Sequence, residues 1–315
     1  HRVTVPALHK GGWYDIFVQG TLDAFTSRQN EGGAGALGSQ KLVIGPWVHR
    51  LQAVTTLGDF DAPPLSHEPP YDISAKSWFD FHLKGIPNRF EAFPPVLYYV
   101  MGPFDGSPSS GNQWRSADRW PVKHVKMAFY LSADRRLVEA PLKVAGGEVQ
   151  YPYRPDDLVP TIGGRNLFLD AGPKDQRPLE ERPDVMTFTS EPLDEDLEVT
   201  GRLFAKLFFS SERPAADLAV RLTDVYPDGR SILIAEGLTH VGKALKKEVV
   251  VDLWSTSLVF AKGHRIRLSV SGSNYPRYDV PSQNIAGTDT IHFSREHASQ
   301  IILPAVRKGE RWLIQ

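Results

Sequence analysis

The chain has 315 residues, 41% of them hydrophobic, and a formal net charge of -1. That is material for about two domains with real cores, and the near-neutral balance excludes both a basic footprint for nucleic acid and an acidic tail. The absence of cysteine excludes disulfides, thiolate catalysis and cysteine-based zinc sites. No segment approaches the roughly 18 apolar residues of a membrane helix. A cysteine-free chain fits a reducing cytosol and a secreted bacterial protein equally, so the compartment stays open. The chain opens His1-Arg2-Val3 without Met. We therefore expect a natural start upstream, or a cleavage, with any targeting signal on the missing part.

In chain order, Val3 to Leu8 reads as a short strand followed by a Gly11-Gly12 turn. Ile16 to Arg28 has helical character, with Ile16, Phe17, Leu22 and Phe25 on one face. Glu31 to Gly38 is a glycine-rich loop, and Lys41 to Ile44 is a strand ending at Gly45-Pro46. Strand, helix, strand makes a βαβ unit, which implies a parallel sheet. Thr55 to Pro70 is a proline-rich loop. Ile73 to Leu83 is an amphipathic helix with Trp78, Phe79 and Phe81 apolar, stopped at Lys84-Gly85. Pro94 to Met101 is a strand.

The pattern changes near Val125. Short strands are expected at 128–131, 185–189, 197–209, 218–225, 231–236, 248–253, 265–271 and 300–306, separated by turns such as Pro227-Asp228-Gly229-Arg230. Strands at that spacing argue for an antiparallel sandwich, a jelly roll being one form. Tyr151 to Pro160, with three prolines, is expected to be an ordered loop. The division is thus 1–124 and 125–315.

Two short segments carry the chemistry. Gly12-Trp13-Tyr14-Asp15 and Gly45-Pro46-Trp47-Val48-His49 each deliver one polar residue at the end of an apolar run. In open sheets of this kind, catalytic groups gather beyond the carboxyl ends of the strands. A base must take a proton on one ring nitrogen and donate from the other to a carboxylate. Adjacent strands lie about 4.8 Å apart, so Asp15 and His49 can meet. The plainer alternative stays open: Asp15 caps the following helix and His49 is an ordinary loop residue. An Asp followed by a His in this order is the second half of a hydrolase triad whose order is Ser, Asp, His. The first half is absent, since no Gly-x-Ser-x-Gly occurs in the 315 residues.

Other candidates read more blandly. Asp23 faces solvent on its helix, and Asp80 is structural or supports the His49 loop. His67-Glu68 has no spaced partner, and no metal or cofactor is expected. His292 and His297 are five apart, too loose for a helical pair, and read as surface loop residues. Trp13 and Trp47 either line a substrate pocket or pack beneath the catalytic loops.

These segments resemble the cocaine-esterase-like hydrolases, the CocE/NonD group, relatives of X-Pro dipeptidyl peptidases and α-amino-acid ester hydrolases. The likeness continues through Phe79-Asp80-Phe81-His82-Leu83-Lys84-Gly85, Pro95-Val96 to Val100-Met101-Gly102, Asp175-Gln176-Arg177-Pro178 and Leu197-Glu198-Val199-Thr200-Gly201. It extends through Asp224-Val225-Tyr226-Pro227-Asp228-Gly229-Arg230, Gly263-His264-Arg265-Ile266 and Ser273-Asn274-Tyr275-Pro276-Arg277-Tyr278-Asp279. The resemblance implies the C-terminal part of an α/β-hydrolase, a mainly parallel sheet with helices, followed by an all-β jelly-roll sandwich. It implies Asp15 as triad carboxylate, His49 as base, and acyl transfer to water through a serine ester. The serine and the oxyanion hole would lie upstream of residue 1, on the same parent or on an N-terminal companion chain. By the same analogy, Phe168 and the loop Tyr275-Pro276-Arg277-Tyr278 would approach the cleft from the second domain.

Two function classes follow. One is a serine esterase or amidase acting on a small ester, amide or peptide, of which this chain alone is inactive. The other is a non-catalytic jelly-roll binding module. Neither nucleic acid nor membrane is an expected partner, and a homo-oligomer is left open.

Overall fold

The computed structural model describes residues 2–51, 55–141, 143, 146–242 and 245–307. The chain begins with strand β1 (Leu8–Tyr14), helix α1 (Val18–Glu31) and strand β2 (Lys41–Val48). A small hairpin follows, β3 (Thr56–Leu57) and β4 (Phe60–Asp61), then helix α2 (Ala75–Lys84) and strands β5 (Val96–Val100) and β6 (Gln113–Ala117). These form a four-stranded sheet in the order β1-β2-β5-β6. β1, β2 and β5 are parallel, and β6 returns antiparallel. The expected βαβ unit is present.

β1 starts where the expected strand ends. Gly11 and Gly12, which read as a turn, lie inside it. The reason is close approach: a side chain at Gly12 would place its Cβ 2.1 Å from the carbonyl oxygen of Trp47. α1 begins two residues later than expected, so Phe17 stands at its cap and is exposed rather than packed. Val18, Leu22 and Phe25 form the buried stripe instead. In α2, Trp78 is buried and Phe79 is exposed.

The remainder is nearly all strand, in two sheets. The strands are β7 (Val125–Leu131), β8 (Leu137–Val138), β9 (Glu148–Tyr153), β10 (Val185–Thr189), β11 (Leu197–Ser211), β12 (Ala216–Val225), β13 (Ser231–Gly242), β14 (Lys247–Phe260), β15 (Arg265–Ser271), β16 (Gly287–His292) and β17 (Gln300–Ala305). One short helix, α3 (Arg177–Glu180), precedes β10. The smaller sheet runs β10-β15-β12-β13. The larger runs β8-β7-β17-β11-β16-β9, with β14 also paired to β11. Alternation along β11 turns Leu203, Ala205, Leu207 and Phe209 inward, each fully buried. Each expected strand occurs, and β8, β9 and β16 add to them. β9 absorbs the first residues of the expected loop 151–160. Its Pro152 is tolerated because β9 is an edge strand. His292 ends β16 and is buried, not a surface loop residue.

The two sheet systems are joined by buried polar contacts. The Tyr14 hydroxyl donates to Leu233 O at 2.8 Å. Gln19 Oε1 accepts from both the backbone and the hydroxyl of Ser255, each at 2.9 Å. Met101 at the end of β5 continues into a bridge with Leu258 of β14.

Candidate functional site

Asp15 and His49 follow β1 and β2 directly. Because the strands are parallel, with Tyr14 opposite Val48, the next residue of each emerges at the same sheet edge. His49 Nδ1 lies 3.1 Å from Asp15 Oδ1. The same Asp15 oxygen accepts the Phe17 N–H at 2.9 Å, which turns the chain into α1. Asp15 therefore holds the histidine and shapes the turn ahead of α1; it is not the helix cap, which falls at Phe17 without a side-chain cap bond. Its side chain is 6% exposed, against 41% for His49. A buried acceptor with two fixed donors sets the imidazole tautomer that carries its proton on Nδ1. Nε2 is left to the solvent side, with no hydrogen bond to another described residue.

The imidazole opens into a cleft of about 580 Å³, a size typical of small-molecule sites. Its walls come from Val48, His49 and Arg50 on one side and from the segment Asn166 to Ala171 on the other, with Lys174 beyond. Phe168 at that segment is 95% exposed. The Phe17 ring meets the His49 ring edge-on at 5.3 Å. One exposed aromatic thus meets the imidazole and another lines the same cleft. Lys174 is held by Asp59 at 2.9 Å, and this bond, with Asp170 adding, raises its pKa. Among the described residues, no serine lines the cleft.

The second wall is held from beneath. Arg165 is fully buried and donates to the backbone carbonyls of Trp13, Glu236, Leu253 and Ser255, at 3.1 to 3.3 Å. Burial lowers its pKa and the Glu236 carboxylate opposes that shift. Glu236 also accepts the Arg165 backbone N–H at 3.1 Å and the Asn274 amide at 3.2 Å, and pairs with Arg277 at 3.1 Å. A side chain at Gly164 would run into that carboxylate, with Cβ 2.1 Å from Oε1. Gly164 and Gly172 exchange two backbone bonds of 2.8 Å that close the base of the wall.

The other sequence candidates fall elsewhere. Trp13 and Trp47 are 1% and 2% exposed, and their indoles donate to Tyr99 O and Ser66 O. They are core, so the pocket reading for them is corrected: the rings pack on Trp120 and Trp114 within the main hydrophobic cluster. Asp80 is bound by Lys76 and Lys84 of its own helix. The Asp23 side chain is 59% exposed, as expected. Phe168 reaches the cleft, whereas Tyr275 to Tyr278 does not line it; Arg277 instead braces Glu236 and the Arg165 carbonyl. Phe17 and Arg165 are site residues that the sequence does not single out. Position two after the Asp marked Phe17, while nothing local marks a buried arginine.

Comparison with known proteins follows the same lines. Residues 88–302 match the X-Pro dipeptidyl-peptidase C-terminal non-catalytic domain, and residues 1–50 match the X-Pro dipeptidyl-peptidase S15 family. A cocaine esterase of Rhodococcus sp. (strain MB1 Bresler) is 32% identical over 348 aligned positions, covering 97% of this chain and 57% of that protein. The chain spans about half the length of the curated relatives it matches. Among solved structures, an aminopeptidase from a marine sediment Thaumarchaeota archaeon superposes with a TM-score of 0.79 at 24% identity, over 98% of this chain and 56% of that one. An α-amino acid ester hydrolase gives 0.76 at 23%, over 96% and 56%. Both show the shared fold. On the motifs, the family matches and the cocaine esterase likeness together, the chain belongs to the CocE/NonD family of cocaine-esterase-like and X-Pro-dipeptidyl-peptidase-like serine hydrolases.

Proposed function

We propose that this chain carries the base and its orienting carboxylate for a serine hydrolase acting on ester or amide bonds. The observation that carries the reading is the 3.1 Å contact between buried Asp15 and cleft-lining His49. His49 Nε2 takes the proton of a serine hydroxyl as that oxygen attacks the acyl carbon. Asp15 accepts from Nδ1–H and stabilises the imidazolium, which then protonates the leaving group. Water repeats the sequence on the acyl-serine. The serine and the oxyanion donors are supplied from outside the 315 residues, by an upstream segment or a companion chain. In this reading residues 1–124 belong to an α/β-hydrolase sheet, and 125–315 are a jelly roll whose 166–171 segment forms one wall for the substrate. Phe17 and Phe168 suit an apolar or aromatic group on a small ester, amide or peptide.

The alternative, a jelly-roll binding module, is favoured by the non-catalytic description of the domain matched by residues 88–302. It gives no role to the Asp15–His49 pair. The deciding experiment is hydrolysis of p-nitrophenyl butyrate by the natural polypeptide that includes these residues. His49→Ala and Asp15→Asn are each expected to lower kcat by about 10³-fold or more, with the fold retained. Activity within about tenfold of the parent in both variants would overturn the assignment.

A further inference from the structure

A second serine, histidine and carboxylate lie in line on the outer face of the larger sheet. Ser210 Oγ is 2.7 Å from His292 Nε2. His292 Nδ1 is 3.2 Å from Glu148 Oε2. The polarity is that of an activated serine, with the hydroxyl on Nε2 and the carboxylate on Nδ1.

Strand register produces the array. His292 stands opposite Phe208 of β11 and opposite Glu148 of β9. Ser210 is two residues beyond Phe208 and shares its face, so it meets His292 on the diagonal. The intervening Leu207, Phe209 and Ile291 point inward and are fully buried. The His292 side chain is only 10% exposed, while that of Glu148 is 51% exposed. His297 packs on Phe208 with ring centres 4.9 Å apart, covering the next row. Burial pushes the His292 pKa below the usual 6.5, Lys246 pushes it the same way, and Glu148 opposes both. The ring is therefore neutral near pH 7 and free to accept a proton. None of these residues lines the His49 cleft.

We propose that Ser210 is a nucleophilic serine that takes up acyl or phosphonyl groups from small activated donors, with His292 as its base and Glu148 orienting the ring. For an aryl ester, Ser210 Oγ bonds to the carbonyl carbon and its proton passes to His292 Nε2. The bond to the aryl oxygen breaks, and that oxygen leaves with the proton from His292. The products are O-acyl-Ser210 and a phenol, with no further reactant. On a sheet face the donor meets protein on one side only, which fits slow, unselective modification.

The test is treatment of the 315-residue chain with a fluorophosphonate probe, read by intact mass and peptide mapping. The expected result is a single adduct on Ser210, absent in Ser210→Ala. His292→Gln slows its formation by about 10²-fold, the scale of a lost general base. Glu148→Gln, at a half-exposed edge position that leaves the fold intact, slows it less. The rate should rise with pH as His292 loses its proton; the charged groups facing the ring are Glu148 of β9, Lys246 ahead of β14 and His297 between β16 and β17. No adduct at Ser210, or equal rates in the parent and His292→Gln, would overturn the proposal. The readout is an adduct rather than turnover, so its failure is distinct from a failure of the His49 assignment.

Discussion

Arg165 of the sandwich donates from Nε to the backbone carbonyl of Trp13, 3.3 Å away and two residues before Asp15. One buried cation thus ties the floor of the second cleft wall to the strand that presents the carboxylate. Arg165→Met would leave four carbonyls without that donor and Glu236 with Arg277 but without the Arg165 charge. Removing one partner of such a buried pair costs about 3–5 kcal/mol. The expected outcome is a loss of that size in urea unfolding. A loss under about 1 kcal/mol would show that the network is dispensable.

Tyr14 makes the other direct link at this strand end. Its hydroxyl is fully buried, and burial pushes its pKa well above the usual value, so it serves only as a neutral donor to Leu233 O. Tyr14→Phe keeps the ring and strands one buried carbonyl. We expect a destabilisation of about 1–2 kcal/mol, again from denaturant midpoints. Equal stability of the two proteins would mean that the carbonyl finds another donor.

Phe168 is nearly fully exposed, so its truncation should leave folding within about 0.5 kcal/mol. If it covers the acyl or leaving group, its burial in the complex contributes about 1.5–3 kcal/mol. Phe168→Ala in the natural polypeptide is then expected to lower kcat/KM for aryl esters by about 10- to 100-fold, and for acetyl esters of small alcohols far less. A uniform effect on both would separate Phe168 from substrate contact.

His9 provides a pH signature of folding. It is buried in β1, with Nε2 3.1 Å from Gln40 Oε1 and its ring edge-on to Phe25. Burial sets its pKa below the usual 6.5, with Arg28 adding and Gln40 opposing. Between the two values the unfolded chain binds a proton that the folded chain does not. Stability is therefore full above about pH 6.5 and falls as the solution is acidified below it. The parent should lose more stability than His9→Gln between pH 7.5 and 5. The same loss in both would remove His9 from the titration.

The sequence made the Asp15–His49 pair legible because it is local. Both residues end strands of one βαβ unit, and the order of polar residues after apolar runs survives in one dimension. The start of β1 was misplaced because glycine signals a turn by its freedom, whereas Gly12 is there by its size, against Trp47 O. Periodicity places Phe17 on the buried face because it does not announce where the first turn closes. Trp13 and Trp47 cannot be divided between pocket and core from the sequence because the rings that bury them, Trp120 and Trp114, are far away in the chain. His292 looks like a loop residue in the sequence because a six-residue edge-side strand leaves little alternation to detect. Arg165 was invisible for a different reason: its four acceptors come from three strands far apart in the chain.

The Asp15–His49 contact spans 34 positions and lies wholly within β1, α1, β2 and the turns that follow the two strands. As the proposed relay, the pair is therefore a local part of the chain, carried by one stretch of sequence. A break in the backbone anywhere outside residues 8–49 leaves the two residues on one continuous segment. The ties of that segment to the sandwich run from Arg165 to Trp13 O, from Tyr14 to Leu233 O and from Ser255 to Gln19.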